Sequence, residues 1–323
     1  MDISCAFPPS LNIAEQVVLA ERLGYRRAWV YDSPAFYGDV WVALARAAER
    51  TTRIGLGTAV LVPSLRHVLT QAAAIATLAE LAPGRLAVAV GTGFTARMAL
   101  GQRPLPWASV ARYIRQLQAL LRGEVVEVDG SAVCMLHPDG FAPARPIDVP
   151  ILVAANAPKG LQVARDLGDG VMCVGQPQPG FAWCALLAFG TVLDAGEDAG
   201  SARALAAAGP ALAAAYHGIY EAGGAAAADG MPGGMQWRAA LEAVPVRTRH
   251  LALHELHLVG VNQRDRSILS GEMLRALTWT GSAAEVGSRL EAAAAAGATE
   301  ILYAPMGPDA ARELTAFAAA AGR

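Results

Sequence analysis

Glycine-containing and polar segments follow short apolar runs at several places in the chain, and these segments are the first candidates for chemistry. The segment Gly91–Thr95, Gly-Thr-Gly-Phe-Thr, comes directly after the apolar run Leu86–Val90. A glycine has no Cβ, so its backbone can lie directly against a flat ring or a phosphate group. The same letters also suit a plain turn between a strand and a helix, and an isolated Gly-x-Gly favours the turn.

Two further polar positions follow apolar runs in the same way. Asp32 comes after Ala28–Tyr31, where its carboxylate could hydrogen-bond a ligand or cap the next helix. Asn156 opens the stretch Asn-Ala-Pro-Lys-Gly, in which free backbone N–H groups and Lys159 suit an anion. Pro158 is equally typical of the first turn of an ordinary helix. Both positions therefore have a ligand-binding and a structural explanation.

Three histidines further along the chain could supply protons or bind a metal ion. His250, His254 and His257 follow the spacing i, i+4 and i+7, which places them on one face if the segment is helical. No His-Glu-x-x-His motif is present, and no carboxylate or cysteine completes a ligand set for zinc. We therefore predict no metal site and take His254 and His257 as candidate proton donors.

Short apolar runs that alternate with amphipathic helical stretches predict the framework that positions these residues. Eight candidate strands joined by helices, without a domain linker, indicate an α/β fold, a (β/α)8 TIM barrel, rather than an open doubly wound sheet. The open sheet is also disfavoured because no Gly-x-Gly-x-x-Gly follows the first strand. The predicted strands are Ile3–Phe7, Ala28–Tyr31, Arg53–Val62, Leu86–Val90, Ile151–Ala155, Val171–Val174, Leu186–Leu193 and Glu300–Ala304.

We expect a single domain over residues 1–323 with one long helical insertion between the seventh and eighth strands, at about residues 195–279. Insertions of this length often form the walls of an active site. Tyr216, His217 and Trp237 lie in it and are either pocket residues or packing residues. In a barrel of this kind the functional groups lie at the carboxyl ends of the strands, where Asp32, Gly91–Thr95 and Asn156 are placed.

Composition narrows the classes of partner. With 54% hydrophobic residues, 17% charged residues and a net charge of −2, the chain has no basic field that would attract nucleic acid or an anionic membrane. Charged residues interrupt every apolar run before the ~20 residues of a membrane span. The start, Met-Asp-Ile-Ser, lacks the features of a signal peptide, so we expect a cytoplasmic protein. The four cysteines show no pairing motif and are expected to be buried thiols.

Five stretches together resemble the bacterial luciferase-like superfamily, and most closely its coenzyme F420-dependent oxidoreductases, the methylenetetrahydromethanopterin reductase-like group. The stretches are Gly24–Asp32, Ile54–Arg66, Gly84–Phe94, Val153–Asn156 and Gly281–Tyr303. The resemblance implies a barrel that holds a deazaflavin or flavin across its C-terminal mouth. It also implies a cis peptide at Ala59–Val60 behind the central ring, with Asp32 at the polar edge of that ring.

Further roles follow from the same resemblance. Gly91–Thr95 would lie along the cofactor tail, and the residues after the fifth and sixth strands would hold its ribityl or phosphate end. The predicted cofactor site consists of Asp32, Ala59, Val60, Val62, Gly91, Thr92, Gly93, Phe94, Thr95, Ala154, Ala155, Asn156, Lys159 and Gly175. The superfamily also implies a homodimer that acts on a small-molecule substrate.

Departures from the family pattern restrict the reaction. The sugar-phosphate dehydrogenases of the superfamily have histidine where this chain has Ser33, and glutamate where it has Phe94. Glucose-6-phosphate oxidation is therefore not expected. Tyr37 falls where those enzymes place an aromatic residue and could donate a proton or stack. The predicted catalytic residues are Asp32, Ser33, Tyr37, His254 and His257.

The expected function is hydride transfer between C5 of coenzyme F420 and a small or medium organic substrate, with reduction of an activated C=C or C=N bond preferred. Two alternatives remain open. The first is an FMN-dependent monooxygenase on the same fold. The second is a barrel that binds a flavin without turnover.

Overall fold

A computed structural model describes all residues from 1 to 323. The apolar runs form ten strands: β1 (Asp2–Phe7), β2 (Arg27–Val30), β3 (Gly55–Leu61), β4 (Leu86–Val90), β5 (Val126–Val128), β6 (Ser131–Val133), β7 (Ile151–Ala154), β8 (Gly170–Val174), β9 (Cys184–Phe189) and β10 (Glu300–Ala304). Eight of them close into a barrel in the order β1-β10-β9-β8-β7-β4-β3-β2. The remaining two, β5 and β6, form an antiparallel hairpin. The predicted (β/α)8 TIM barrel is confirmed.

Thirteen helices accompany the strands: α1 (Ile13–Arg22), α2 (Val40–Arg50), α3 (Val68–Leu81), α4 (Phe94–Met98), α5 (Trp107–Arg122), α6 (Pro158–Leu167), α7 (Ala202–Asp229), α8 (Gly234–Glu242), α9 (Arg249–Leu253), α10 (Gln263–Arg266), α11 (Gly271–Leu277), α12 (Ala283–Ala295) and α13 (Ala310–Ala320). Asp39 caps α2, because its carboxylate accepts hydrogen bonds from two N–H groups of the first turn. No helix combines the length and the apolar character that crossing a bilayer would need.

The register of β3 changes near its carboxyl end. Thr58 pairs with Val88 of β4, but Leu61 pairs with Val90, so two residues of β3 have no regular partner. Those two residues are Ala59 and Val60, and the bond between them is cis. The cis peptide predicted at this position is therefore present, and it lies at the end of the barrel where the candidate site residues are found.

The seventh barrel strand differs from the prediction. Leu186–Leu193 was expected, whereas β9 begins at Cys184 and ends at Phe189. The strand ends because Gly190 has a φ of 148°, and a Cβ there would lie 2.5 Å from the backbone of Trp279. Because apolar residues also follow Gly190, the apolar run in the sequence continues to Leu193, beyond the end of the strand.

Contacts divide the chain into two compact units. The first contains residues 1–97, 103–187 and 293–302, and the second contains 98–102, 188–292 and 303–323. The second unit includes the predicted insertion, and its apolar core contains Tyr216, Trp237 and Leu241. The boundary of a single domain over the whole chain stays a prediction.

Inside the first unit, a polar cluster fills the amino-terminal end of the barrel. Glu300 opens β10, and its two carboxylate oxygens accept hydrogen bonds from the indole N–H groups of Trp29 (3.0 Å) and Trp183 (2.5 Å). The guanidinium of Arg27 lies over both indole rings. Gly57 is required beside them, because a Cβ would approach the ring of Trp29 to 2.5 Å. This end of the barrel is packed, which leaves the carboxyl end for ligands.

Candidate active site

Three predicted site residues from different strand ends lie together at the carboxyl end of the barrel. A Cβ on Gly91 would lie 2.8 Å from Cγ2 of Val60 and 3.3 Å from Cβ of Ala154. Val60 and Ala154 are each partly exposed. We call Val60, Gly91 and Ala154 the apolar floor. Glycine is needed at 91 because Val60 already occupies the space that a side chain would take.

The loops after β3 and β4 are joined beside this floor. Gly93 has a φ of 75°, and a Cβ there would lie 2.5 Å from Cγ1 of Val62. Arg97 donates hydrogen bonds to the hydroxyl of Ser64 (2.6 Å) and to the carbonyl of Arg103 (2.7 Å). The glycines of the Gly-Thr-Gly segment thus have a packing reason in addition to the cofactor approach inferred from the sequence.

The remaining residues of that segment differ in exposure. Phe94 begins α4 with 42% of its surface exposed, while Thr92 and Thr95 are half-buried. The carbonyl of Thr92 accepts a hydrogen bond from the N–H of Leu105 (2.9 Å). An exposed phenylalanine presents an apolar surface and no titratable group at the position after the Gly-Thr-Gly.

Asp32 forms a buried ion pair that the sequence did not predict. Nη1 of Arg66 donates to both carboxylate oxygens of Asp32 (2.8 and 2.7 Å), and Nη2 donates to Asp39 (2.7 Å). Asp32 is only 3% exposed. Burial raises the pKa of Asp32, and the hydrogen bond and positive charge of Arg66 act in the opposite direction. Arg66 ends the stretch Ile54–Arg66 that resembles the family, but no pattern in the sequence pairs it with Asp32.

Ser33 and Tyr37 lie on the turn that follows β2. The carbonyl of Ser33 accepts hydrogen bonds from the N–H groups of Phe36 (2.9 Å) and Tyr37 (3.1 Å). The ring of Tyr37 contacts the rings of Tyr31 and Phe36, with centroids 6.2 and 5.7 Å away. Burial raises the pKa of Tyr37, so its phenol stays protonated at neutral pH.

The ends of β7 and β8 are connected by Asn156. Its carboxamide donates to the carbonyl of Val174 and accepts from the N–H of the same residue (3.3 Å). Asn156 therefore does not cap α6, whose N-cap is Ala157. Lys159, in the first turn of α6, and Gly175, after β8, are both exposed, whereas Ala155 is buried. The structure thus places an amide, a lysine and a helix N-terminus on neighbouring segments of the first unit.

The histidines belong to the second unit and do not form the single helical face expected. Helix α9 ends at Leu253, and Leu256 and Leu258 both have positive φ. The rings of His254 and His257 instead contact the ring of His217 from α7, with centroids 6.0 and 5.9 Å from it. We call these three residues the histidine cluster.

His250 is not part of that cluster. Its ring lies 3.5 Å from the position of a Cβ on Gly101. All three rings of the cluster are buried, and burial lowers the pKa of His217 and of His257. The sequence predicts His217 as a pocket or packing residue, but its contact with the other two histidines depends on the tertiary structure.

A closed barrel of eight parallel strands, packed at its amino-terminal end and carrying the candidate ligand-binding residues at its carboxyl end, defines the TIM-barrel class. Residues 8–300 match the family model for luciferase-like monooxygenases. The chain belongs to this family.

Individual relatives are similar over part of the chain. An F420-dependent glucose-6-phosphate dehydrogenase of Beutenbergia cavernae is 38% identical over 179 residues, which cover 50% of this chain and 52% of that protein. A 5,10-methylenetetrahydromethanopterin reductase of Methanolobus tindarius is 34% identical over 171 residues, or 51% of this chain and 50% of that protein. The chain thus spans about half the length of the curated relatives it matches.

The fold has solved counterparts over its whole length. The coenzyme F420-dependent tetrahydromethanopterin reductase of Methanopyrus kandleri superposes with a TM-score of 0.69 at 17% identity, and the match covers 98% of this chain and 97% of that one. At this identity the likeness concerns the fold alone.

Proposed function

We propose that the protein is an F420-dependent oxidoreductase that reduces an activated C=C or C=N bond of a small or medium organic substrate. The observation that carries the proposal is the apolar floor at the carboxyl end of the barrel, together with the buried Asp32–Arg66 pair after the neighbouring strands β2 and β3. Family membership and the similarity to an F420-dependent glucose-6-phosphate dehydrogenase support the choice of cofactor.

The residues at these strand ends fit a deazaflavin cofactor. A flat ring needs a surface without protruding side chains, which Ala59 and the apolar floor supply. The polar edge of such a ring needs donors and acceptors, which Asp32 and Arg66 supply. The N-terminus of α6 and Lys159 would bind the anionic tail of the cofactor. When bound, the deazaflavin would supply the hydride at its C5 position.

The side chains around this site favour reduction. Ser33 and Phe94 replace the histidine and glutamate of the sugar-phosphate dehydrogenases that the sequence resembles. Tyr37, protonated at neutral pH, would hold the proton that a reduced substrate must accept. Phe94 would exclude water from the reacting face. The buried contacts of His254 and His257 with His217 favour a role for these two histidines within the second unit.

Cofactor titration followed by anaerobic turnover tests the proposal. We expect the purified protein to bind F420 more tightly than FMN, as followed by the fluorescence of each cofactor. We then expect reduced F420 to be oxidised when α,β-unsaturated carbonyl compounds or imines are added, and glucose 6-phosphate to leave oxidised F420 unchanged. Tight FMN binding with substrate-dependent oxygen uptake would instead support the monooxygenase. Binding of neither cofactor would support a barrel without turnover.

The homodimer implied by the resemblance is part of the same proposal. Light scattering coupled to size-exclusion chromatography tests it directly, because the mass of one chain is 33.4 kDa. A single species at about twice that mass is the expected result.

A further inference from the structure

The proposed reaction does not involve the histidine cluster, which lies in the second unit. Ligand atoms of His217, His254 and His257 all lie within 4.8 Å of one another. The ring centroids of His254 and His257 are 5.2 Å apart. The three residues are 1%, 1% and 8% exposed. Three imidazoles therefore converge in the interior of this unit.

Carboxylates orient two of the three rings. Nε2 of His217 lies 3.1 Å from Oδ2 of Asp265, and Nε2 of His254 lies 2.7 Å from Oε1 of Glu221. When Nε2–H donates to a carboxylate, Nδ1 of the same ring carries the lone pair that can bind a metal ion. Carboxylates hold metal-binding histidines in this way and make them more basic ligands.

One ring nitrogen of the histidine cluster, Nδ1 of His217, is buried and has no hydrogen-bond partner. An unsatisfied buried acceptor destabilises the folded protein, so its retention calls for an explanation. A metal ion coordinated at that nitrogen would satisfy it.

The charges around the cluster favour a cation. Asp265 and Glu221 contribute two carboxylates, with side chains only 1% and 5% exposed, and Arg264 contributes one guanidinium at 3.0 Å from Asp265. When the three imidazoles are neutral, the two carboxylates and the guanidinium together carry a formal charge of −1 in the interior of this unit. A buried net charge is costly unless a counter-ion is bound.

We propose that His217, His254 and His257 bind one divalent transition-metal ion, with Zn²⁺ best matched to three imidazole ligands and a water molecule as the fourth ligand. Zinc lies about 2.0–2.1 Å from histidine nitrogens in a tetrahedral site, so the nitrogens must close to about 3.4 Å from one another. Starting from separations within 4.8 Å, a displacement of each ring nitrogen by about 1 Å towards their common centre achieves this. The ion would join α7 to the segment after α9 inside the second unit.

Metal titration of the untagged, chelator-treated protein tests the proposal. We expect one Zn²⁺ per chain, measured by competition with a chromophoric chelator. We also expect one Co²⁺ per chain with the intense visible absorption of a four-coordinate ion. The His257→Gln variant should bind at least about 100-fold more weakly, and Glu221→Gln about 10-fold to 100-fold more weakly. His250→Gln is the matched control, because this neighbouring histidine lies outside the cluster, and it should bind as the wild type does.

Several results would overturn the proposal. One is a folded wild-type protein that binds no stoichiometric ion. Another is equal weakening by His250→Gln and His257→Gln, and a third is Co²⁺ absorption typical of a six-coordinate surface ion. The Co²⁺ spectrum of the wild type stands even if a histidine variant fails to fold. F420 binding by the chelator-treated protein is measured separately, so the outcome is independent of the proposed oxidoreductase.

Discussion

Nη1 of Arg66 contacts both carboxylate oxygens of Asp32, and Nη2 of the same guanidinium contacts Asp39. This single side chain thus connects the loop after β3 with the end of β2 and with the N-cap of α2. Asp32 and Arg66 are 1% and 16% exposed in their side chains. The ion pair is therefore both a structural link and the polar part of the candidate active site.

Replacing Arg66 tests both aspects. In Arg66→Leu, Asp32 is left buried without its cation, which should lower the free energy of unfolding by about 3–5 kcal/mol. The pKa of Asp32 should rise further, because the group that opposes the effect of burial is gone. Urea denaturation measures the first effect. A pH titration of F420 binding measures the second, with loss of binding moving to higher pH if ionised Asp32 contacts the cofactor.

Arg50→Leu provides the control for that experiment. Arg50 pairs with Glu15 on the surface, and both side chains are more than half exposed. Removal of such a pair should change the free energy of unfolding by less than about 1 kcal/mol. Equal effects of the two substitutions would contradict the importance given to the Asp32 pair.

The apolar floor can be filled without straining the backbone. Ala154→Leu places a larger side chain beside Gly91 at the end of β7, where Ala154 is partly exposed. We expect F420 affinity to fall at least about tenfold, which corresponds to about 1.4 kcal/mol. The matched control is Ala132→Leu on the exposed hairpin strand β6. Unchanged affinity in a folded Ala154→Leu protein would remove the floor from the cofactor site.

The sequence correctly predicts those elements whose ends are determined by residues adjacent in the chain. Strand β4 is predicted at Leu86–Val90 and strand β10 at Glu300–Ala304, and both lie there. In both, a turn or breaker next to the apolar run marks the ends. The end of β9 was missed because it depends on Gly190 meeting the backbone of Trp279, which is distant in sequence.

The same distinction applies to the side chains of the sites. Asp32 and the Gly-Thr-Gly segment could be found because strand ends converge in every parallel barrel. Arg66 and His217 could not be assigned their partners, since His217 is 37 residues before His254 and only the path of the chain brings the rings together. Spacing within one helix suggested His250 instead, and the segment is not one continuous helix.

Tyr37 is the proposed proton donor, and a conservative substitution separates this role from packing. Tyr37→Phe keeps the ring that contacts Tyr31 and Phe36 but removes the hydroxyl. We expect kcat for reduction to fall by about 10²-fold to 10⁴-fold, with F420 affinity unchanged. Phe36→Leu, which alters the neighbouring ring and keeps the hydroxyl, should preserve most of kcat. A Tyr37→Phe enzyme with wild-type kcat would exclude Tyr37 as the donor.

Acid should weaken the second unit through Glu197. Hydrogen bonds from Arg203 and Ser201, with the positive charge of Arg203, lower the pKa of Glu197 from 4.5 to about 2 against the opposing effect of burial. A carboxyl whose pKa is lower in the folded state stabilises that state above its unfolded pKa. The stabilisation is then lost as pH falls from about 4.5 towards 2.

The Glu197→Gln variant isolates this contribution. At pH 7 the wild type should be more stable than the variant by about 1–2 kcal/mol, since a charge-assisted hydrogen bond to Arg203 is lost. At pH 3 the difference should shrink, because the carboxyl is protonated in the unfolded wild-type chain and must lose that proton on folding. Urea denaturation at both pH values measures this, and Glu124→Gln, whose carboxylate is exposed beside Arg122, should show a much smaller change. A difference between wild type and Glu197→Gln that does not vary with pH would contradict the ion pair as its source.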